Sequence, residues 1–122
     1  MVVTQFIGVN LNGPASEILS DKNGGKVIVP VSAFSDATVQ IVPEPSGTGA
    51  AAWSSAIISV RRTNDIDVAP VVLESAVTLS SSSTMTARID TRGFAYLALV
   101  LTTAEGSALK ANVYIATTNT GG

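Results

Sequence analysis

The chain contains neither cysteine nor histidine. The first absence excludes a disulfide framework and leaves the redox compartment unread. The second removes the side chain most often used for proton transfer near neutral pH and the commonest metal ligand. Ionised groups are scarce too: 13% of residues are charged, against about 25% in an average soluble domain. The net charge of −2 leaves no basic footprint for nucleic acid. Long apolar runs are also missing. The longest, Phe94 to Leu101, has eight residues, well short of the roughly 18 needed to span a bilayer. The opening Met1-Val2-Val3-Thr4-Gln5-Phe6 has no cationic n-region and no long apolar core, so no signal peptide is expected.

What is present is apolar. Hydrophobic residues make up 46% of the 122, and the mean hydropathy is +0.41. This length suits one domain, which commonly holds about 100–150 residues. Such a chain buries roughly two-thirds of its unfolded surface, enough for a core without metal or disulfide staples. Two readings compete for the apolar surplus. In one, Ser and Thr simply coat the outer faces of a sandwich. In the other, part of the surface is normally covered by a partner. Few charges and a near-zero net charge promote association, which favours the second.

The apolar residues recur with period two. Lys26 to Val31 and Thr38 to Val42 are short Val/Ile-rich runs, closed by Pro43-Glu44-Pro45. Ser54 to Arg62 reads as a longer strand with Ile58 and Val60 inward, Ser59 and Arg61 outward. Another strand lies within Pro70 to Leu79, and Thr84 to Thr91 alternates with Met85, Ala87 and Ile89 on one face. Phe94 to Thr103 and Leu109 to Thr117 flank Ala104-Glu105-Gly106-Ser107 and read as a hairpin. The first of these strands is apolar on both faces, so it is either central or covered outside by another subunit. The helical candidate is Pro14 to Lys22, with Pro at a plausible first position and Asn23-Gly24-Gly25 as a stop; an irregular loop is the alternative. The expectation is an all-β protein: an antiparallel β-sandwich or jelly roll of about seven to eight strands, with at most one short helix near the N-terminus. Residues 1–25 read as an arm or an edge strand plus loop, and 26–122 as the sandwich, with no internal repeat.

Sites that carry chemistry are few. Asn64-Asp65-Ile66-Asp67 clusters oxygens, but calcium wants six to eight of them and a glycine-bearing loop, so turn chemistry explains the cluster. Asp90 and Arg92 read as a surface ion pair. Arg61 and Arg62 put adjacent cations on opposite strand faces, as solvated strand end or as interface anchor. Gly47 to Trp53 lacks the Gly-Lys-Ser/Thr ending of a phosphate loop. Trp53, the sole tryptophan, reads as core or interface before sugar platform. No serine lies in a Gly-x-Ser-x-Gly elbow. No catalytic residue, cofactor or metal is expected.

The segment Ala56-Ile57-Ile58-Ser59-Val60-Arg61-Arg62-Thr63-Asn64-Asp65 resembles the strand-plus-turn pattern of small phage head and tail β-sandwiches, with Ile66 where glycine often stands. Ile89-Asp90-Thr91-Arg92-Gly93-Phe94-Ala95-Tyr96-Leu97 resembles the Asp-x-x-Gly-aromatic entry to their penultimate strand, and the last strands through Tyr114 are similar. The resemblance covers roughly residues 54–117. It implies a capsid decoration (cement) protein of a tailed bacteriophage: a homotrimer on the capsid exterior, made in the host cytoplasm. Such a protein clamps neighbouring major capsid subunits by interface burial, without nucleic acid or membrane. In that reading Met1 to Ile7 is an arm that adds a strand to a neighbour's sheet edge. The interface candidates are Val2, Val3, Phe6, Ile7, Trp53, Arg61, Arg62, Tyr96 and Tyr114. The alternatives are a tail, neck or baseplate protein, and a sugar-binding sandwich using Trp53, Tyr96 or Tyr114.

Overall fold

Alternation over most of the chain forbids a helix-sized apolar stripe and leaves pleated strands as the way to bury one face. The computed structural model describes residues 1–43, 55–67, 73–81, 84–105 and 110–119. Among them run eight strands: β1 (Val2–Asn10), β2 (Ile28–Pro30), β3 (Asp36–Pro43), β4 (Ser55–Thr63), β5 (Glu74–Ser81), β6 (Met85–Asp90), β7 (Tyr96–Glu105) and β8 (Lys110–Thr118). They form two four-stranded sheets, ordered β1-β8-β3-β6 and β2-β7-β4-β5. Every pairing is antiparallel. Of the consecutive strands, β4 and β5 alone share a sheet, so the chain winds back and forth between the two layers. This is the jelly-roll arrangement of a double-sheet β protein.

The core fills the space between the sheets. Val39, Ile41, Val113 and Ile115 come from one, Ile58, Val60, Leu97 and Leu99 from the other, all fully buried. Each such side chain contributes roughly 1.5–3 kcal/mol relative to exposure. The inward assignments expected for β4 and β6 hold at Ile58 and Val60 and at Met85 and Ile89, with Ala87 half-buried against the core, whereas Ser59, expected outward, is 2% exposed; on β8 Ala111, Val113 and Ile115 are buried.

Of two expectations, the first resolves to the irregular loop and the second is overturned. No helix forms over Pro14 to Lys22. Those residues make turns, with Ile18 bridged to Val100 and Ser20 bridged to both Asn10 and Lys26. Leu19 is buried, and its amide donates to the Leu99 carbonyl at 2.9 Å. Pairing with a strand edge satisfies this backbone better than two isolated helical turns would. The hairpin between β7 and β8 is also absent, because β7 lies between β2 and β4 while β8 lies between β1 and β3. Gly106, expected in that loop, and Leu109, expected to begin the second strand, fall outside the described residues. Period two tells which side chains share a face but not which strand lies alongside.

Where chain segments enter β3 and β7, two corners take the same form. The Phe34 amide donates to the Val31 carbonyl at 3.0 Å, and the Phe94 amide to the Thr91 carbonyl at 3.1 Å. Thr91, fully buried, joins them: its hydroxyl donates to the Phe34 carbonyl and its amide to that of Ser35. Gly93 takes φ +85°, which the second corner requires. A phenylalanine at equal offset in Val31-Ser32-Ala33-Phe34 and Thr91-Arg92-Gly93-Phe94 was the sequence signal for this local repeat.

Candidate protein-association interface

β1 is one of the two edge strands of its sheet, held along one side by β8 from Val2 opposite Thr117 to Asn10 opposite Lys110. Its side chains alternate until a bulge between Phe6 and Val9. Phe6 points inward and belongs to the core at 9% exposure, so this interface candidate is structural. Val2, Val3 and Ile7 stay exposed at 52%, 49% and 36%, and Met1 at 87%. These four are the exposed large hydrophobic residues among the described ones, and all belong to β1 or adjoin it. Met1, part of the expected arm but not among the interface candidates, adjoins the same edge.

The other candidates do not gather at this edge. Arg61 lies on the outer face of its sheet, donating to the Ser59 hydroxyl at 3.1 Å and the Leu73 carbonyl at 2.7 Å. Arg62 turns the other way, to one end of the sandwich. Its guanidinium sits 4.6 Å from the Phe94 ring centre, donates to the Asp90 carbonyl, and pairs with Glu74 at 3.2 Å. Both arginines thus brace the fold. Tyr114 faces outward on one sheet and Tyr96 outward on the other, since their strand neighbours Val113, Ile115 and Leu97 are core. They share no platform. Trp53 and the stretch Gly47 to Ala52 lie outside the described residues.

The strand apolar on both faces, β7, is central, and its outer side chains Ala98 and Val100 are 0% and 1% exposed within the single chain. They need no second subunit. Across the outer face of the first sheet, register aligns Gln5, Tyr114, Gln40 and Thr86 in one row and Val3, Ala116, Thr38 and Arg88 in the next. This uncharged or sparsely charged surface adjoins the apolar edge. Sequence alone could not assemble these rows, because they require the strand order.

The polar clusters serve turns. Asp65 accepts from the Asp67 amide at 3.0 Å, and Asn64 donates to the Gly93 carbonyl at 3.0 Å. Asp90 accepts from the Arg92 amide and, through its two carboxylate oxygens, from the Arg92 Nε and Nη2 at 3.1 and 2.8 Å. Those hydrogen bonds hold its carboxyl at a pKa of about 2, below the ordinary 3.8. Among the described residues no group of three or more Asp or Glu side chains converges as a metal site.

The fold and this edge define a jelly-roll domain whose exposed large apolar side chains, among the described residues, are concentrated on one uncharged edge strand. Neither the protein-family models nor the curated proteins contain a match. The chain is similar in structure to the SPBc2 prophage-derived protein YomS, with a TM-score of 0.52, 10% identity, and coverage of 96% of this chain and 95% of that one. At that identity the likeness shows a shared fold.

Proposed function

We propose that this protein is a non-enzymatic structural component of a tailed-phage particle, a capsid decoration protein that binds across neighbouring major capsid subunits as a homo-oligomer. The observation that carries the reading is that the exposed large apolar side chains among the described residues lie on or beside β1, next to a sheet face with few charges. Exposed apolar surface of this kind is stabilised by burial against protein. The prophage origin of the structural neighbour supports a phage setting, as does the resemblance over residues 54–117. Decoration requires only interface burial, repeated over a shell so that many weak contacts act together.

Co-sedimentation with purified expanded heads tests this reading. Binding that saturates at a fixed ratio to shell subunits, and that a charge at Val3 weakens, is the expected result. Failure to bind heads while binding tails or baseplates would move the protein within the particle. Binding to neither would remove the particle role altogether.

A further inference from the structure

Strand edges carry unpaired amides and carbonyls, and proteins usually blunt them with charges, prolines, bulges or short length. Three of the four sheet edges here are blunted. β2 is three residues long and ends at Pro30. β5 begins with Glu74 and is bulged at Ala76, which has no partner between Val77 and Ser75 in the register with β4. β6 carries Arg88 and Asp90.

β1 differs along its first half. Near its end Ser20 and Lys22 cover the edge: the Asn10 amide donates to the Ser20 carbonyl, and the Lys22 amide to the Ile7 carbonyl. From Val2 to Phe6 no strand among the described residues lies on that side, and the stretch has no charge, no proline and no bulge. The direction of its free groups follows from alternation. The Thr118 carbonyl of β8 accepts from Ser35, on the β3 side. Thr117, Ile115 and Val113 therefore turn their backbone groups to β1, where their partners are Val2, Thr4 and Phe6. Val3 and Gln5 direct theirs outward, as the Ile7 carbonyl also does.

We infer that the open edge of β1 pairs antiparallel with β1 of a second copy, about a two-fold axis through Thr4. This deepens the association reading and rests on it. In this register Val3 of one copy lies opposite Gln5 of the other, and all the outward amides and carbonyls of both residues are satisfied. The contact is isologous, and therefore closed. Charge favours it: Val2–Asn10 holds no ionised side chain, so no like charges oppose each other. A threefold ring built by strand addition would need β1 to join one of the blunted edges. Five residues of edge fall well short of the roughly 800 Å² per partner of a standard interface, so the pairing is concentration-dependent in solution.

Sedimentation equilibrium of the free protein, without shells, tests the pairing apart from shell binding. The expected result is a mass rising with concentration from 12.4 kDa towards twice that value. Val3→Lys, at an exposed site, should weaken self-association at least about tenfold, while an unchanged circular dichroism spectrum verifies folding. Amide exchange gives a second readout that needs no variant: the Val3 and Gln5 amides should gain protection as concentration rises. A mass that stays at one chain or settles at three overturns the inference. A doubled mass with those two amides still unprotected overturns it equally.

Discussion

Replacing Val100 with alanine separates an outer face covered by its own chain from one awaiting a partner. Val100 stands on the outer side of β7, opposite Ser59 of β4 and bridged on its other edge to Ile18. At 1% exposure it is as enclosed as the core valines. The substitution removes two methyl groups, worth roughly 0.8 kcal/mol each in transfer, and the residual cavity brings the loss to about 2–3 kcal/mol. That is a large share of the roughly 5–15 kcal/mol by which domains are stable. Val3→Ala, at 49% exposure, is the control and should change stability by no more than about 0.5 kcal/mol. Urea unfolding followed by circular dichroism at two dilute protein concentrations measures both. The loss at Val100 should be the same at each concentration, because the covering atoms belong to the same chain. A loss under about 0.5 kcal/mol, or one that appears only at high concentration, would refute self-coverage of this face.

Phe6 and Ile7 are neighbours with opposite fates. Phe6→Ala should cost about 3–5 kcal/mol in the same unfolding experiment, whereas Ile7→Ser should leave stability within about 0.5 kcal/mol and act on association. Asp90 supplies a pH signature. Its folded pKa of about 2 lies below the ordinary 3.8, so the stability it contributes is present above pH 3.8 and is lost as pH falls towards 2. Asp90→Asn should flatten that part of the acid limb in thermal melts taken between these values; an unchanged limb would mean that the Arg92 pairing does not persist in solution.

How much was legible in the sequence differs from element to element. The alternation Met85, Ala87, Ile89 and the run Ala111, Val113, Ile115 are local records of one core-facing side, and all of these positions are buried except Ala87, which is half-buried against the core. Pro14 and the glycines after Lys22 are helix punctuation too, but Leu19 and Ile18 find strand partners near Leu99 and Val100, and that non-local pairing overrides two turns of local preference. Gly106 permits a reversal whether the chain returns beside itself or crosses to the facing sheet, so a hairpin and a crossing look alike in sequence. The candidate interface was legible in part: the apolar, charge-free start of β1 is written in residues 2–7, while the inward turn of Phe6 is set by its place opposite Val113.

By itself, then, the sequence determined the class of this protein: period-two apolar residues, few charges and no cysteine require pleated layers around one core, whatever their order. Strand order, and with it which edge remains open and which apolar face is already covered, was decided only in the tertiary structure. The physical reason is that hydrophobic burial is non-directional. It specifies how much surface each strand must hide, and leaves the choice of neighbour to the packing of the whole chain.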